Sequence, residues 1–289
     1  MSGAPVRPIL VCGAGAMGHG IAQVAAVAGR TVRLYEPEAA RAAAGAVRIA
    51  ENLARAAERG LVAPDVAAAA PARVTPVADL AAAAAGIDVA IEAIVEDADA
   101  KRALFAALDR AAPPDALLLS NTSSIPIGRI AEAVAPARRP RVAGMHFFNP
   151  VPAMPLVEVV RGPETDDATA AAVGGLAVTL GKETILSADR PGFLVNRMLM
   201  PFLAEAMCAF EEGVGTAEAI DAGARLGLGH PMGPLALADR IGLDVLLSIM
   251  EIQAAELGAP HHAPPAILRR LVAEGRLGRK SGAGFYPYR

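Results

Sequence analysis

The stretch Ile9-Leu10-Val11-Cys12-Gly13-Ala14-Gly15-Ala16-Met17-Gly18 decides the fold. Its four leading apolar residues read as a strand buried on both faces. The next six match G-x-G-x-x-G, and a helical stretch follows them. A second strand pattern, Thr31-Val32-Arg33-Leu34-Tyr35, ends at Glu36, an acid about 20 residues beyond the glycines. Strand, glycine loop, helix, strand and acid in this order form the context of a dinucleotide-binding βαβ unit. Gly13 permits the tight turn, Gly15 lets the backbone approach a pyrophosphate, and Gly18 lets helix and strand pack closely. The helix N-terminus offers N–H groups and a partial positive charge to the phosphates. The candidate NAD loop is therefore Gly13, Ala14, Gly15, Ala16, Met17 and Gly18, with Glu36 on the ribose hydroxyls. A carboxylate there repels the 2′-phosphate of NADP, although Arg33 and Arg41 nearby leave NADP open.

Beyond this unit, short β-branched runs keep alternating with Ala-rich helical stretches. The runs fall at 73–77, 87–91, 116–119, 141–145, 156–160 and 183–186, and helices are expected near 18–28, 38–59, 97–111, 126–134 and 166–180. The pattern predicts an α/β, Rossmann-type, doubly wound, mostly parallel sheet. After Ser187-Ala188-Asp189-Arg190-Pro191-Gly192 the strand signals stop, and 193–213, 216–226, 233–257 and 264–274 read as helices. An NAD-binding domain over 1–187 and an all-α domain over 188–289, for substrate binding and dimerisation, are expected.

Composition removes several function classes. The 289 residues carry a net charge of −3, which gives no electrostatic case for nucleic acid. Hydrophobic residues reach 54 %, but Ala dominates them, and no uncharged apolar run is long enough for a membrane span. No apolar leader pattern precedes the first strand, and Cys12 and Cys208 read as separate reduced thiols, so a cytoplasmic location is expected. No cluster has metal-ligand spacing, and His261-His262 reads as surface. Lys and Arg total 27, of which only Lys101, Lys182 and Lys280 are lysines. Such a bias keeps Lys where a compact ammonium is preferred over a planar fork.

Three segments hold chemistry. Ser120-Asn121-Thr122-Ser123-Ser124 follows a strand, where the C-terminal ends of parallel strands face a ligand crevice. The same cluster also reads as a helix N-cap. In Gly144-Met145-His146-Phe147-Phe148-Asn149-Pro150-Val151-Pro152, His146 ends a strand and its chemistry suits proton exchange near neutrality. Glu158, among Leu156, Val157 and Val159, is a buried carboxylate in need of a partner, and His146 is available across the Asn149-Pro150 turn. The alternative is that each is satisfied by backbone or water. Asn196 in Pro191-Gly192-Phe193-Leu194-Val195-Asn196-Arg197 is either a substrate-binding amide or a structural bridge.

From residue 7 to 288 the chain resembles the L-3-hydroxyacyl-CoA dehydrogenase family, in particular its short monofunctional 3-hydroxybutyryl-CoA dehydrogenases. His146–Pro152 is the most specific stretch, and Pro191–Arg197, Gly229–Gly233 and Gly278–Tyr286 add to it. The resemblance implies that His146 is the general acid/base, that Glu158 pairs with it, and that Ser123 and Asn196 hold substrate. It places Glu96, Lys101, Ser123, Asn149 and Lys280 on the NAD cofactor beside the glycine loop, and it implies an acyl-CoA substrate and a homodimer. Glu36 stands where the family usually has Asp. The family's CoA-binding lysines are absent; Arg48, Arg55 and Arg59 recur at helical spacing instead, with Arg55 and Arg59 as candidate substrate-binding residues or as a solvated helix face. The rivals are a dehydrogenase of a free 3-hydroxy acid such as L-gulonate and a non-catalytic NAD-binding relative.

Overall fold

A computed structural model describes residues 7–258 and 260–288. The continuous apolar runs become the centre of one eight-stranded sheet: β1 (Ile9–Cys12), β2 (Val32–Tyr35), β3 (Val74–Val77), β4 (Val89–Glu92), β5 (Leu117–Ser120), β6 (Val142–Phe147), β7 (Leu156–Arg161) and β8 (Glu183–Ala188). The strand order is β3-β2-β1-β4-β5-β6-β7-β8. Strands β1 to β6 are parallel; β7 runs antiparallel to β6, and β8 is parallel to β7. The order reverses between β1 and β4, the switch point where open α/β sheets bind ligands at the carboxyl ends of their strands. All four residues of β1 are fully buried, which is why that strand carries no polar alternation.

The helices of this first unit are α1 (Ala16–Val27), α2 (Ala39–Glu58), α3 (Pro64–Ala69), α4 (Leu80–Ala84), α5 (Ala98–Ala111), α6 (Ile127–Ala131) and α7 (Asp167–Thr179). Ile21, Ile49, Leu53 and Val173 from α1, α2 and α7 share a core with Ile9, Leu34, Ile91 and Met145 of the sheet. Caps start helices where the sequence supplies them: at α5 Asp97 accepts the Ala100 N–H at 2.8 Å, and at α7 Asp166 accepts that of Thr169 at 2.6 Å.

The chain divides after Asp189 into a second compact unit. It holds α8 (Val195–Glu211), α9 (Ala217–Ala222), α10 (Pro234–Ile241), α11 (Leu243–Leu257) and α12 (Ala266–Ala273) around Met200, Leu203, Met207, Leu235, Leu246, Met250 and Leu268. The single helix expected over 233–257 is two helices. Gly242, at φ 107°, breaks it in a conformation that L side chains avoid. His262, expected at the surface, is 3 % exposed and its ring lies tilted against that of His261, with centroids 4.1 Å apart. Two buried aspartates account for the glycine motifs late in the chain. Asp239 accepts the Phe285 and Tyr286 N–H groups and the Tyr288 hydroxyl; Asp221 accepts the Leu235 and Ala236 N–H groups and the Tyr286 hydroxyl. A Cβ at Gly284 would meet Asp239 Oδ1 at 1.9 Å, and one at Gly233 would meet the Asp221 Cβ at 2.2 Å. No helix among the described residues is long and apolar enough to cross a membrane.

Candidate active site

The glycine loop leaves β1 through Gly13, at φ 105°. A Cβ at Gly18 would lie 1.8 Å from the Gly13 carbonyl oxygen, so only glycine lets α1 start this close to the loop. Nothing lies within 4 Å of where a Gly15 Cβ would stand, so the backbone there is open to an approaching group. The Ala14 N–H donates to Glu36 Oε2 at 2.8 Å, and Arg41 approaches Glu36 Oε1 at 3.5 Å. Glu36 thus secures the loop from the end of β2. Arg33 is committed elsewhere, donating to the carbonyls of Ala82, Ala83 and Ala85. The close-packed turn, the open Gly15 and the helix N-terminus fit a dinucleotide pyrophosphate, and the acid at the end of β2 fits its ribose.

The loops after β4 and β5 are tied by carboxylates. Glu96 Oε1 accepts from the Thr122 hydroxyl (2.6 Å), the Ser124 hydroxyl (2.8 Å) and the Ser123 and Ser124 N–H groups (3.0 Å each). The Ser123 hydroxyl lies 3.4 Å from the same oxygen. Burial pushes the Glu96 carboxyl up, but the Lys101 ammonium and these hydrogen bonds outweigh it and hold the group below the usual carboxylate range. Lys101 is 1 % exposed. Its ammonium lies 2.5 Å from Glu92 Oε1 and 3.2 Å from Glu96 Oε2, so it reaches the crevice only through Glu96. A buried ammonium needs such counter-charges.

Sequence reasoning missed Glu92. It is fully buried at the end of β4 and also accepts the Ser120 hydroxyl at 2.6 Å and the Ile94 N–H at 2.8 Å. It links both loops. The signal was an acid closing a fully apolar strand, Val89-Ala90-Ile91-Glu92, with a lysine on the next helix.

The register of β6 on β7 places His146 directly opposite Glu158. His146 Nδ1 and Glu158 Oε2 are 2.6 Å apart, with His146 at 5 % and Glu158 at 0 % exposure. An ionised carboxylate only accepts, so Nδ1 carries the hydrogen and Nε2 is the ring nitrogen that can take up a proton. Phe148 tilts against the imidazole with ring centroids 4.6 Å apart. Asn121 Oδ1 accepts the Phe147 N–H at 2.8 Å and ties this strand end to the serine-rich loop. The turn after β6 is held by Lys182, whose ammonium donates to the Val151 and Met154 carbonyls at 2.6 and 2.8 Å.

A cavity of about 370 Å³ lies beside the glycine loop. Ala16, His19, Asn52, Arg55, Arg59 and Asn149 are among its lining residues. It therefore brings both candidate arginines to the start of α1 and to the turn that follows His146, whereas Arg48 is not among those residues. In the helical unit, Asn196 lies in the first turn of α8 and is 9 % exposed; Lys280 pairs with Asp244 at 2.6 Å. Among the described residues no group of three or more His, Cys, Asp or Glu could hold a metal ion.

Comparison with known proteins gives concordant matches over both units. Residues 8–190 match the family model for the 3-hydroxyacyl-CoA dehydrogenase NAD binding domain, and residues 192–288 match that for the 3-hydroxyacyl-CoA dehydrogenase C-terminal domain. A probable 3-hydroxybutyryl-CoA dehydrogenase of Bacillus subtilis is 48 % identical over 284 residues, 98 % of each chain. The crystal structure of Mycobacterium tuberculosis FadB2 superposes with a TM-score of 0.94 at 45 % identity, covering 99 % of this chain and 100 % of that one. The (S)-3-hydroxybutyryl-CoA dehydrogenase PaaH1 of Ralstonia eutropha gives 0.94 at 41 % identity, over 98 % and 99 % of the two chains.

Proposed function

The chain belongs to the 3-hydroxyacyl-CoA dehydrogenase family and is an NAD-dependent oxidoreductase, and on that premise we propose that its substrate is a short-chain (S)-3-hydroxyacyl-CoA, 3-hydroxybutyryl-CoA first, interconverted with the 3-ketoacyl-CoA. The observation that carries this reading is the buried His146–Glu158 pair, joined through Asn121 to the serine-rich loop at the carboxyl end of β5.

In the proposed mechanism the Gly13–Gly18 loop and Glu36 hold the cofactor, with Glu96, Ser123 and Asn149 adding to its site and Lys101 fixing Glu96 from behind. When bound, the oxidised nicotinamide supplies the two-electron acceptor for the C3–H bond. His146 Nε2 takes the proton of the 3-hydroxyl, and Glu158 stabilises the imidazolium so formed. Ser123 holds the reacting oxygen, and Asn196 holds the substrate's thioester end. In reverse, the imidazolium of His146 protonates the 3-oxo oxygen. Arg55 and Arg59 meet the CoA phosphates; guanidinium groups suit that task and lie on the cavity that Asn149 shares.

The helical unit also carries the proposed homodimer contact. Leu226, Leu228 and Val214 are 84, 66 and 75 % exposed, an apolar set that a second copy would cover.

The test is NADH oxidation with acetoacetyl-CoA, beside free acetoacetate and beside NADPH. Turnover with the thioester and NADH is expected. Turnover of the free acid but not the thioester would overturn the reading in favour of a free-acid dehydrogenase, and NADH binding without turnover in favour of a non-catalytic relative.

A further inference from the structure

One titratable side chain lining the cavity has no part in the mechanism above. His19, on the first turn of α1, holds its Nδ1 2.6 Å from the Gly15 carbonyl oxygen. A carbonyl oxygen only accepts, so Nδ1 carries the hydrogen and Nε2 carries the lone pair. Burial lowers the imidazole's affinity for a second proton, against the opposing effect of the Gly15 carbonyl, and the Arg48 charge adds to the lowering. At neutral pH the ring is therefore a neutral acceptor, fixed in one tautomer by its own helix.

The cavity around it is polarised. Arg55 on α2 and Arg59 at its C-terminal cap supply cationic groups, while His19 and Asn149 present neutral polar groups beside the apolar Pro150 and Val151. An acyl-CoA is polarised in the same sense: its phosphates lie at one end, and a mainly apolar arm bearing amide N–H groups leads to the thioester. The cations match the phosphates. A neutral acceptor near the turn that follows His146 matches an amide donor on the arm, and a cation there would not. We propose that His19 is a specificity-determining residue of this site, its Nε2 accepting an amide N–H of the substrate's pantetheine arm. The inference rests on the acyl-CoA reading above and adds to it the residue that distinguishes a CoA thioester from a simple one.

The test compares acetoacetyl-CoA with the S-ethyl thioester of acetoacetate, which has no amide arm, for the wild type, His19→Phe and His19→Gln. Phe keeps a ring of similar size and loses the acceptor; Gln restores an acceptor oxygen at similar reach. Loss of one neutral hydrogen bond is expected to lower the ratio of kcat/KM for the CoA thioester over the ethyl thioester by about three- to ten-fold in His19→Phe. The ratio should recover in His19→Gln, and the KM for NADH should stay within about two-fold in both, a small change on the affinity scale. Equal losses with both thioesters would overturn the inference, because His19 would then act on the fold or the chemistry. So would a rise confined to the KM for NADH, which would assign His19 to the cofactor loop. Should the wild type turn over neither thioester, the acyl-CoA reading itself falls; should it turn over both while the ratio stays fixed, only the His19 assignment falls.

Discussion

Replacing Glu158 by Gln keeps the shape of a side chain with no exposure to solvent and removes one charge. The wild-type carboxylate accepts the His146 Nδ1 hydrogen at 2.6 Å, inside the range of a charge-assisted bond. In the oxidation of the 3-hydroxyl the imidazole takes up a proton and becomes an imidazolium. The carboxylate therefore stabilises the charged form more than the neutral one, which is a differential, catalytic effect. A hydrogen bond to a charged group contributes about 1.5–3 kcal/mol. At about 1.4 kcal/mol per tenfold, kcat for 3-hydroxybutyryl-CoA oxidation should fall on the order of 10- to 100-fold. The pH–rate profile of the reverse reaction, acetoacetyl-CoA reduction, should shift toward acid, because the imidazolium that donates the proton forms less readily without its counter-charge. The assays are the initial rates of NAD reduction with 3-hydroxybutyryl-CoA and of NADH oxidation with acetoacetyl-CoA across pH, with NADH affinity measured separately on the same variant. An unchanged kcat and profile, in a folded protein that binds NADH as the wild type does, would leave Glu158 a structural residue and refute this reasoning.

Three further outcomes are expected. Lys101→Met should destabilise the first unit by about 3–5 kcal/mol in chemical denaturation and weaken NADH binding, because it leaves the Glu92 and Glu96 carboxylates without their shared cation. At high pH the helical unit should lose stability: burial, the hydrogen bonds to Asp221 and Asp239 and the charges of those aspartates hold the Tyr286 and Tyr288 phenols protonated well above the usual value of 10.0, although Arg279 opposes this at Tyr288. Their contribution is complete below about pH 10, where the unfolded phenols are neutral, and is lost as pH rises toward the folded values. The double variant Tyr286→Phe/Tyr288→Phe should flatten that alkaline loss in denaturation curves. If the proposed dimer forms through this face, Leu226→Arg should shift the sedimenting species toward monomer without unfolding the subunit, since Leu226 is 84 % exposed; a dimer in both the wild type and the variant would move the interface elsewhere, and a monomeric wild type would refute the dimer. Gly233→Arg is a poorer probe, because any Cβ at 233 collides with Asp221 of the same chain.

Much of the sheet could be read from strand runs whose period reflects burial on both faces. The βαβ start was equally legible, because each glycine of the loop answers to a local constraint. The facing of His146 and Glu158 was reachable because two apolar strands joined by a short Pro-rich turn admit few registers. What escaped the sequence was set by contacts distant along the chain. An acid closing the apolar run Val89-Ala90-Ile91 marks Glu92 as unusual, but its link to Ser120, 28 residues on, shows only in the folded chain. The Gly278–Tyr286 motif is explained only once Asp239 is seen inside it, taking the oxygen space that a side chain at Gly284 would fill. The break at Gly242 was masked by apolar residues on both sides that continue a helical period. His262 was misread because a Pro-rich neighbourhood usually lies at the surface, whereas this ring packs inward.

The measurement that bears most directly on the central claim is kcat of His146→Ala with NADH and acetoacetyl-CoA, taken together with NADH affinity by titration. General acid/base catalysis by a positioned side chain contributes about 10²- to 10⁴-fold. A fall of that size is expected, with NADH binding preserved. A His146→Ala enzyme that turns over at the wild-type rate would contradict it.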